Sequence, residues 1–119
     1  MTGLIDLWLD DARPAPDGWV HLKTVDEAKE YLLRGVVRRA SLDHDLGACS
    51  KCWDGDAGEW LETHDYQSMP HCDHVGTGYT LVCWMEENDC WPAEMPIVHS
   101  ANPIGYAKMM AVIERKFLR

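Results

Sequence analysis

Apolar residues along this chain come in short runs, and their spacing switches between two periods. Leu4-Ile5-Asp6-Leu7-Trp8-Leu9 is a nearly continuous apolar run, the pattern of a buried strand, and Asp10-Asp11 mark where it leaves the sheet. The stretch from Ala12 to Trp19 holds two prolines and a glycine and reads as a loop. Val20-His21-Leu22-Lys23 predicts a short second strand. The period then lengthens. Thr24 and Glu27 have capping-box spacing, Val25, Ala28 and Leu32 fall on one helical face, and Gly35 suits the end of that helix. Val36 to Leu42 leads into Asp43 as a third strand.

From Gly47 to Gly76 the periodic signal disappears, and Gly, Asp, His and Cys replace it, as in an insertion. Thr77-Gly78 then open a second helix whose apolar side is Leu81, Val82, Trp84 and Met85, with a stop at Asn88-Asp89. Met95-Pro96-Ile97-Val98 predicts a fourth strand ending at His99-Ser100. Asn102 can cap a last helix with Pro103 in its first position, where a missing N–H costs nothing. Tyr106, Met110, Ile113 and Phe117 recur at helical spacing as its core stripe. Strands alternating with helices predict a mainly parallel sheet, and right-handed crossovers bring all strand-to-helix turns to one edge. Ligands of such sheets bind at that edge.

Composition sets limits on this picture. A chain of 119 residues makes one domain, residues 1–119, with the insertion at 47–76 inside it. No apolar run approaches the roughly 20 residues that span a bilayer, so no membrane partner is expected. The N-terminus lacks the basic stretch of a signal peptide, which makes the expected location cytoplasmic. A net charge of −9 argues against broad binding to duplex nucleic acid, but leaves room for a small phosphorylated ligand. Cys49-x-x-Cys52 followed by His71-Cys72-Asp73-His74 has the composition of a zinc site. Cys49, Cys52, Cys72 and His74 are the expected ligands of a structural Zn²⁺ that folds the insertion, with His71 and His64 as substitutes for the last. Trp53 and Trp60 could pack over the sulfurs. Cys83 reads as a core thiol.

Three strand ends carry the chemistry: Asp10-Asp11, Asp43-His44-Asp45, and His99-Ser100 with Asn102. Their layout resembles a response-regulator receiver domain, in which acidic residues hold Mg²⁺ and one aspartate accepts a phosphoryl group. The loop 12–19 stands where a receiver has its first helix. The chain ends after the fourth strand and its helix, so the fifth strand and its lysine would be missing, Lys108 lying inside a helix. The strings Leu9-Asp10-Asp11-x-Arg13-Pro14, Ser41-Leu42-Asp43-His44-Asp45-Leu46-Gly47 and His99-Ser100-Ala101-Asn102-Pro103 resemble more closely the cyclic-phosphate-processing receiver family. The resemblance implies a truncated, flavodoxin-like, three-layer α/β domain of about four strands. It also implies an activity on cyclic phosphates at RNA ends. Either Asp43 or Asp45 could match the receiver phosphoacceptor.

The residues point the same way on their own. Opening a 2′,3′-cyclic phosphate needs a base and an acid, and His44 and His99 suit both tasks near neutral pH. Asp10, Asp11, Asp43 and Asp45 would repel one another and a phosphate unless Mg²⁺ or Mn²⁺ lay among them. Arg13 could clamp the phosphate or pair with Asp10 or Asp11. Ser100 could contact it or bond the following turn. The helix start at Asn102 could offer it backbone N–H groups, or Asn102 could simply cap that helix. The expected function is therefore a metal-assisted phosphoesterase with a small phosphoester or RNA-end substrate. The alternative is a non-catalytic, receiver-derived module that binds a protein or nucleotide.

Overall fold

The computed structural model describes residues 4–46, 52–53, 55, 57–64 and 76–118. Four strands, β1 (Ile5–Leu9), β2 (Val20–Leu22), β3 (Val37–Leu42) and β4 (Ile97–Val98), form one parallel sheet in the order β2-β1-β3-β4. This is the doubly wound order of receivers, with the switch point between β1 and β3. The helices are α1 (Val25–Leu33), α2 (Ala57–Thr63), α3 (Gly78–Asn88) and α4 (Pro103–Phe117). Among the described residues no helix is long and apolar enough to cross a membrane.

Local chemistry places the helix ends where the sequence puts them. Thr24 and Glu27 close a reciprocal capping box on α1. Gly35 takes the left-handed conformation (φ 70°) that a helix C-terminus needs. Thr77 caps α3, and its capping partner is Thr80 rather than an acidic side chain. Asn102 Oδ1 accepts the N–H groups of Ile104 and Gly105 at the start of α4.

The sheet is covered differently on its two sides. The β1-to-β2 step runs opposite to the other crossovers, so right-handedness sends its connection to the opposite face. That connection is the loop 10–19, while α1, α3 and α4 pack side by side on the other face. Among the described residues this loop covers that face, because the segment carrying Pro14, Pro16 and Gly18 forms no helix. Leu7 and Leu9 of β1, paired with Ala40 and Leu42 of β3, share one buried core with Leu81, Val82, Met85, Met109 and Ile113. Each fully buried leucine there contributes roughly 1.5–3 kcal/mol.

One expectation needs correcting. The buried stripe of α4 is Gly105, Met109, Val112 and Ile113, with Tyr106 exposed and Met110 and Phe117 only half-buried. The stripe is rotated because a glycine, invisible to a hydrophobic pattern, lies at its first contact. α2 lies within residues 47–76, the stretch without a periodic signal in sequence.

Candidate active site

Asp10 leaves β1 with its N–H still bonded to Leu22 O, and its side chain turns back on the chain. Oδ1 accepts the backbone N–H groups of Ala12 (2.8 Å) and Arg13 (2.9 Å). Oδ2 accepts from His99 Nε2 at 3.1 Å. Asp10 is fully buried, which by itself raises a carboxyl pKa. The His99 bond and the two backbone N–H groups outweigh that burial and hold it below the usual carboxylate range. Asp43 leaves β3 beside it, its N–H on Leu9 O, and its Oδ1 accepts from His44 N at 2.8 Å.

Oxygens of Asp10, Asp11 and Asp43 lie within 4.8 Å of one another. Burial, and then the charges of Asp10, Asp43 and Asp45, push Asp11 up to about 7. Its Oδ1 is buried with no hydrogen-bond partner. An orphaned oxygen among three crowded carboxylates fits a hard divalent cation, which would neutralise the repulsion and supply the missing partner. Asp10, Asp11 and Asp43 would hold it. Asp45, the fourth carboxylate expected there, is not in this group. Its Oδ1 lies 2.8 Å from His44 Nδ1, and its Oδ2 accepts from Asn102 Nδ2 at 3.4 Å. Of the two aspartates after β3, Asp43 is the one that joins Asp10 and Asp11.

Two glycines bring helices onto this turn. Gly78 N–H donates to His44 O, and a Cβ on Gly78 would collide with the Asp43 carbonyl. A Cβ on Gly105 would collide with the His44 ring. The imidazole is thus pinned between Asp45 and α4, with Nδ1 held by a carboxylate. Among the described residues nothing bonds its Nε2.

His99 is held by more partners. Its Nδ1 lies 2.7 Å from Ser41 Oγ, its Nε2 on Asp10, and its ring stacks on Trp8 at 3.9 Å with 7° between the planes. Arg13 Nη1 donates to His99 O at 2.9 Å, so the guanidinium ties the loop to the end of β4. Ser100 Oγ accepts from Asn102 N, and Asn102 uses its own oxygen as a helix cap. The turn-bonding and capping readings of these two residues are the ones the geometry displays. Sequence reasoning missed Ser41, Trp8 and His21, whose Nε2–H donates to Asp10 O at 2.7 Å. Strand alternation could have found them, since Trp8, His21 and Ser41 share one register row on the loop face.

The model of the cyclic-phosphate processing receiver domain matches residues 5–115. The chain belongs to this family. Comparison with curated proteins and with solved structures found no match. In this receiver-family domain the acidic site sits at the switch point between β1 and β3, where the doubly wound fold opens its crevice.

The insertion of the receiver-family domain is described only in part. Cys49, Cys72, His71 and His74 lie outside the described residues, and Cys52 is exposed. His64 stacks on Trp60 at 3.7 Å, and Trp53 meets Trp60 edge-on at 5.7 Å. Cys83 packs half-buried against the core. Cys90 Sγ donates to Leu32 O, and burial raises its pKa.

Proposed function

We propose that this domain is a metal-assisted phosphoesterase that opens a cyclic phosphate, the substrate being a small phosphoester or a 2′,3′-cyclic RNA end. The observation that carries this reading is the acidic trio of Asp10, Asp11 and Asp43, with its orphaned oxygen, followed directly in sequence by the His44–Asp45 pair. Mg²⁺ or Mn²⁺ bound by the trio would polarise a phosphoryl oxygen and offset the carboxylate charge.

Opening the ring adds water to phosphorus, breaks one P–O bond to the ribose and returns a proton to the released oxygen. His44 has the geometry for that proton transfer. Asp45 fixes its Nδ1, Gly105 fixes its ring plane, and Nε2 remains to take the proton from water and return it to the ribose oxygen. His99, the second histidine expected in such chemistry, has both ring nitrogens engaged. The net charge of −9 favours a short or terminal substrate over long duplex.

The test is hydrolysis of nucleoside 2′,3′-cyclic phosphates with Mg²⁺ or Mn²⁺, read as formation of the monophosphate. His44→Ala should lower turnover by roughly 10²–10⁴. Asp43→Asn should instead raise the metal concentration required. If several cyclic phosphates and simple phosphodiesters stay intact with each metal, the domain is a non-catalytic binding module.

A structural Zn²⁺ held by Cys49, Cys52, Cys72 and His74 is part of the same proposal, supported by the C-x₂-C spacing and the third cysteine in a segment poor in apolar residues. Metal analysis of the purified protein should find it, and Cys72→Ser should lose it. A cytoplasmic setting, which keeps these thiols reduced, completes the reading.

A further inference from the structure

Asp10, His99 and Ser41 form a continuous chain of hydrogen bonds, Oδ2 to Nε2 and Nδ1 to Oγ. The order carboxylate–imidazole–hydroxyl is that of a hydrolase triad, but the hydroxyl is in the wrong place to attack anything. Ser41 is 3% exposed and lies within β3, on the sheet face that the loop covers. The ring between them is equally constrained. Trp8 stacks on it, its backbone N–H donates to Leu42 O, and its carbonyl accepts from Arg13. Neither nitrogen can reach a substrate proton without giving up a buried partner.

We propose that His99 is a positioning residue: Ser41 fixes its imidazole in the Nε2–H tautomer, and the ring, held against Trp8, keeps the Asp10 carboxylate aimed into the acidic trio. The proton assignment follows from the partners. An ionised carboxylate only accepts, so the proton shared with Asp10 sits on Nε2. With a single proton on the ring, the other nitrogen is an acceptor to which the hydroxyl 2.7 Å away can donate. Asp10 reaches the trio already committed on its other oxygen to the backbone of Ala12 and Arg13, so its orientation is fixed from both sides. Outer residues of this kind orient metal ligands and set their affinity. The proposal rests on the reading of Asp10, Asp11 and Asp43 as the cation site.

The test separates the two claims by measuring Mn²⁺ binding without substrate, by electron paramagnetic resonance on the full chain. His99→Ala and Ser41→Ala should each weaken Mn²⁺ binding about 10–100-fold. His99→Gln, whose amide can still donate to Asp10, should recover most of that loss, as should Ser41→Thr. At saturating Mn²⁺ the Gln variant should turn over cyclic phosphate within about threefold of the unaltered protein, since an amide supports positioning but transfers no proton. A Gln variant that binds Mn²⁺ normally but loses turnover by the roughly 10² of a missing acid or base would overturn the proposal. So would an Ala variant with unchanged Mn²⁺ affinity. Nitrogen-15 NMR of His99 in the metal-free, unaltered protein should show the Nε2–H tautomer, and Ser41→Ala should release it. A protonated Nδ1 there overturns the assignment even if no variant folds. Failure of the unaltered protein to bind Mn²⁺ sinks the cation site and this proposal together. Failure to hydrolyse any cyclic phosphate with binding intact sinks only the enzyme.

Discussion

On the helix side of the sheet, Leu7, Leu9, Ala40 and Leu42 are sealed among aliphatic side chains of α1, α3 and α4. On the loop side, the register rows between them hold Asp6 with Arg39, and Trp8 with His21 and Ser41. Few aliphatic contacts are available there, and the loop is tied down by directed interactions. Trp8 Nε1 donates to Arg13 O, Trp8 meets Trp19 edge-on at 6.2 Å, and Arg39 lies over the Trp19 ring at 4.8 Å. Hydrogen bonds with Arg39 and then Arg38 hold the Asp6 carboxyl far below the usual range. A helix layer would have supplied bulk burial without specifying any one contact. The loop supplies few contacts, each specifying a geometry, and Asp10 and His99 belong to this network. Stability and site geometry are therefore assigned to opposite faces.

This division can be broken most forcefully from the helix side. Leu9→Ala should cost about 2–5 kcal/mol in chemical denaturation, as for any fully buried leucine. Mn²⁺ affinity of the fraction that stays folded should be unchanged. The next effect in size is on the site. Gly105→Ala should displace the His44 ring and lower turnover by up to about 10², the penalty for misplacing a catalytic group by about 1 Å, with a smaller loss of stability. If Gly105→Ala turns over substrate normally, the ring is not held in a productive place. On the loop side, Trp8→Phe keeps a stacking ring but removes the bond to Arg13 O, and should cost about 1 kcal/mol. A loss as large as that for Leu9→Ala would show that both faces carry bulk stability.

A pH dependence probes the site itself. Asp11, pushed up to about 7 in the fold against 3.8 in an unfolded chain, keeps a proton on folding that the unfolded chain gives up. Its contribution to stability is fully present below pH 3.8 and is lost as pH rises through about 7. Asp10, shifted the other way, is ionised in both states near neutrality and adds no slope there. In chelator, the melting temperature should therefore fall between about pH 4 and pH 7, and Asp11→Asn should flatten that fall. Added Mn²⁺ should reverse it in the unaltered protein.

What the sequence discloses divides along similar lines. The caps at Thr24, Thr77 and Asn102 were legible because a cap is settled within four residues. The convergence of Asp10, Asp11 and Asp43 was legible because parallel crossovers leave few places for strand ends to go. The partners of His99 were not. Ser41 lies 58 residues away and the Arg13 bond to His99 O spans 86, and no local pattern announces either. Asp45 and Asn102 carried several meanings in sequence, and only their pairing at the start of α4 selects among them. Gly105 shows the same limit from the other side, since a residue without a side chain marks a contact only once its neighbour is placed.

The outer strands of the sheet have one more consequence. β2 has three residues and β4 has two, so the sheet is bounded by very short strands. An exposed strand edge is a template on which a second chain can pair, and shortness is one of the devices that blunt it. Ile97, half-exposed on β4, is followed by only one more residue of strand before the backbone turns into the His99–Asn102 segment. Here the outer ladder ends before a neighbour could form a stable register, and the same turn that ends it delivers His99 to Asp10.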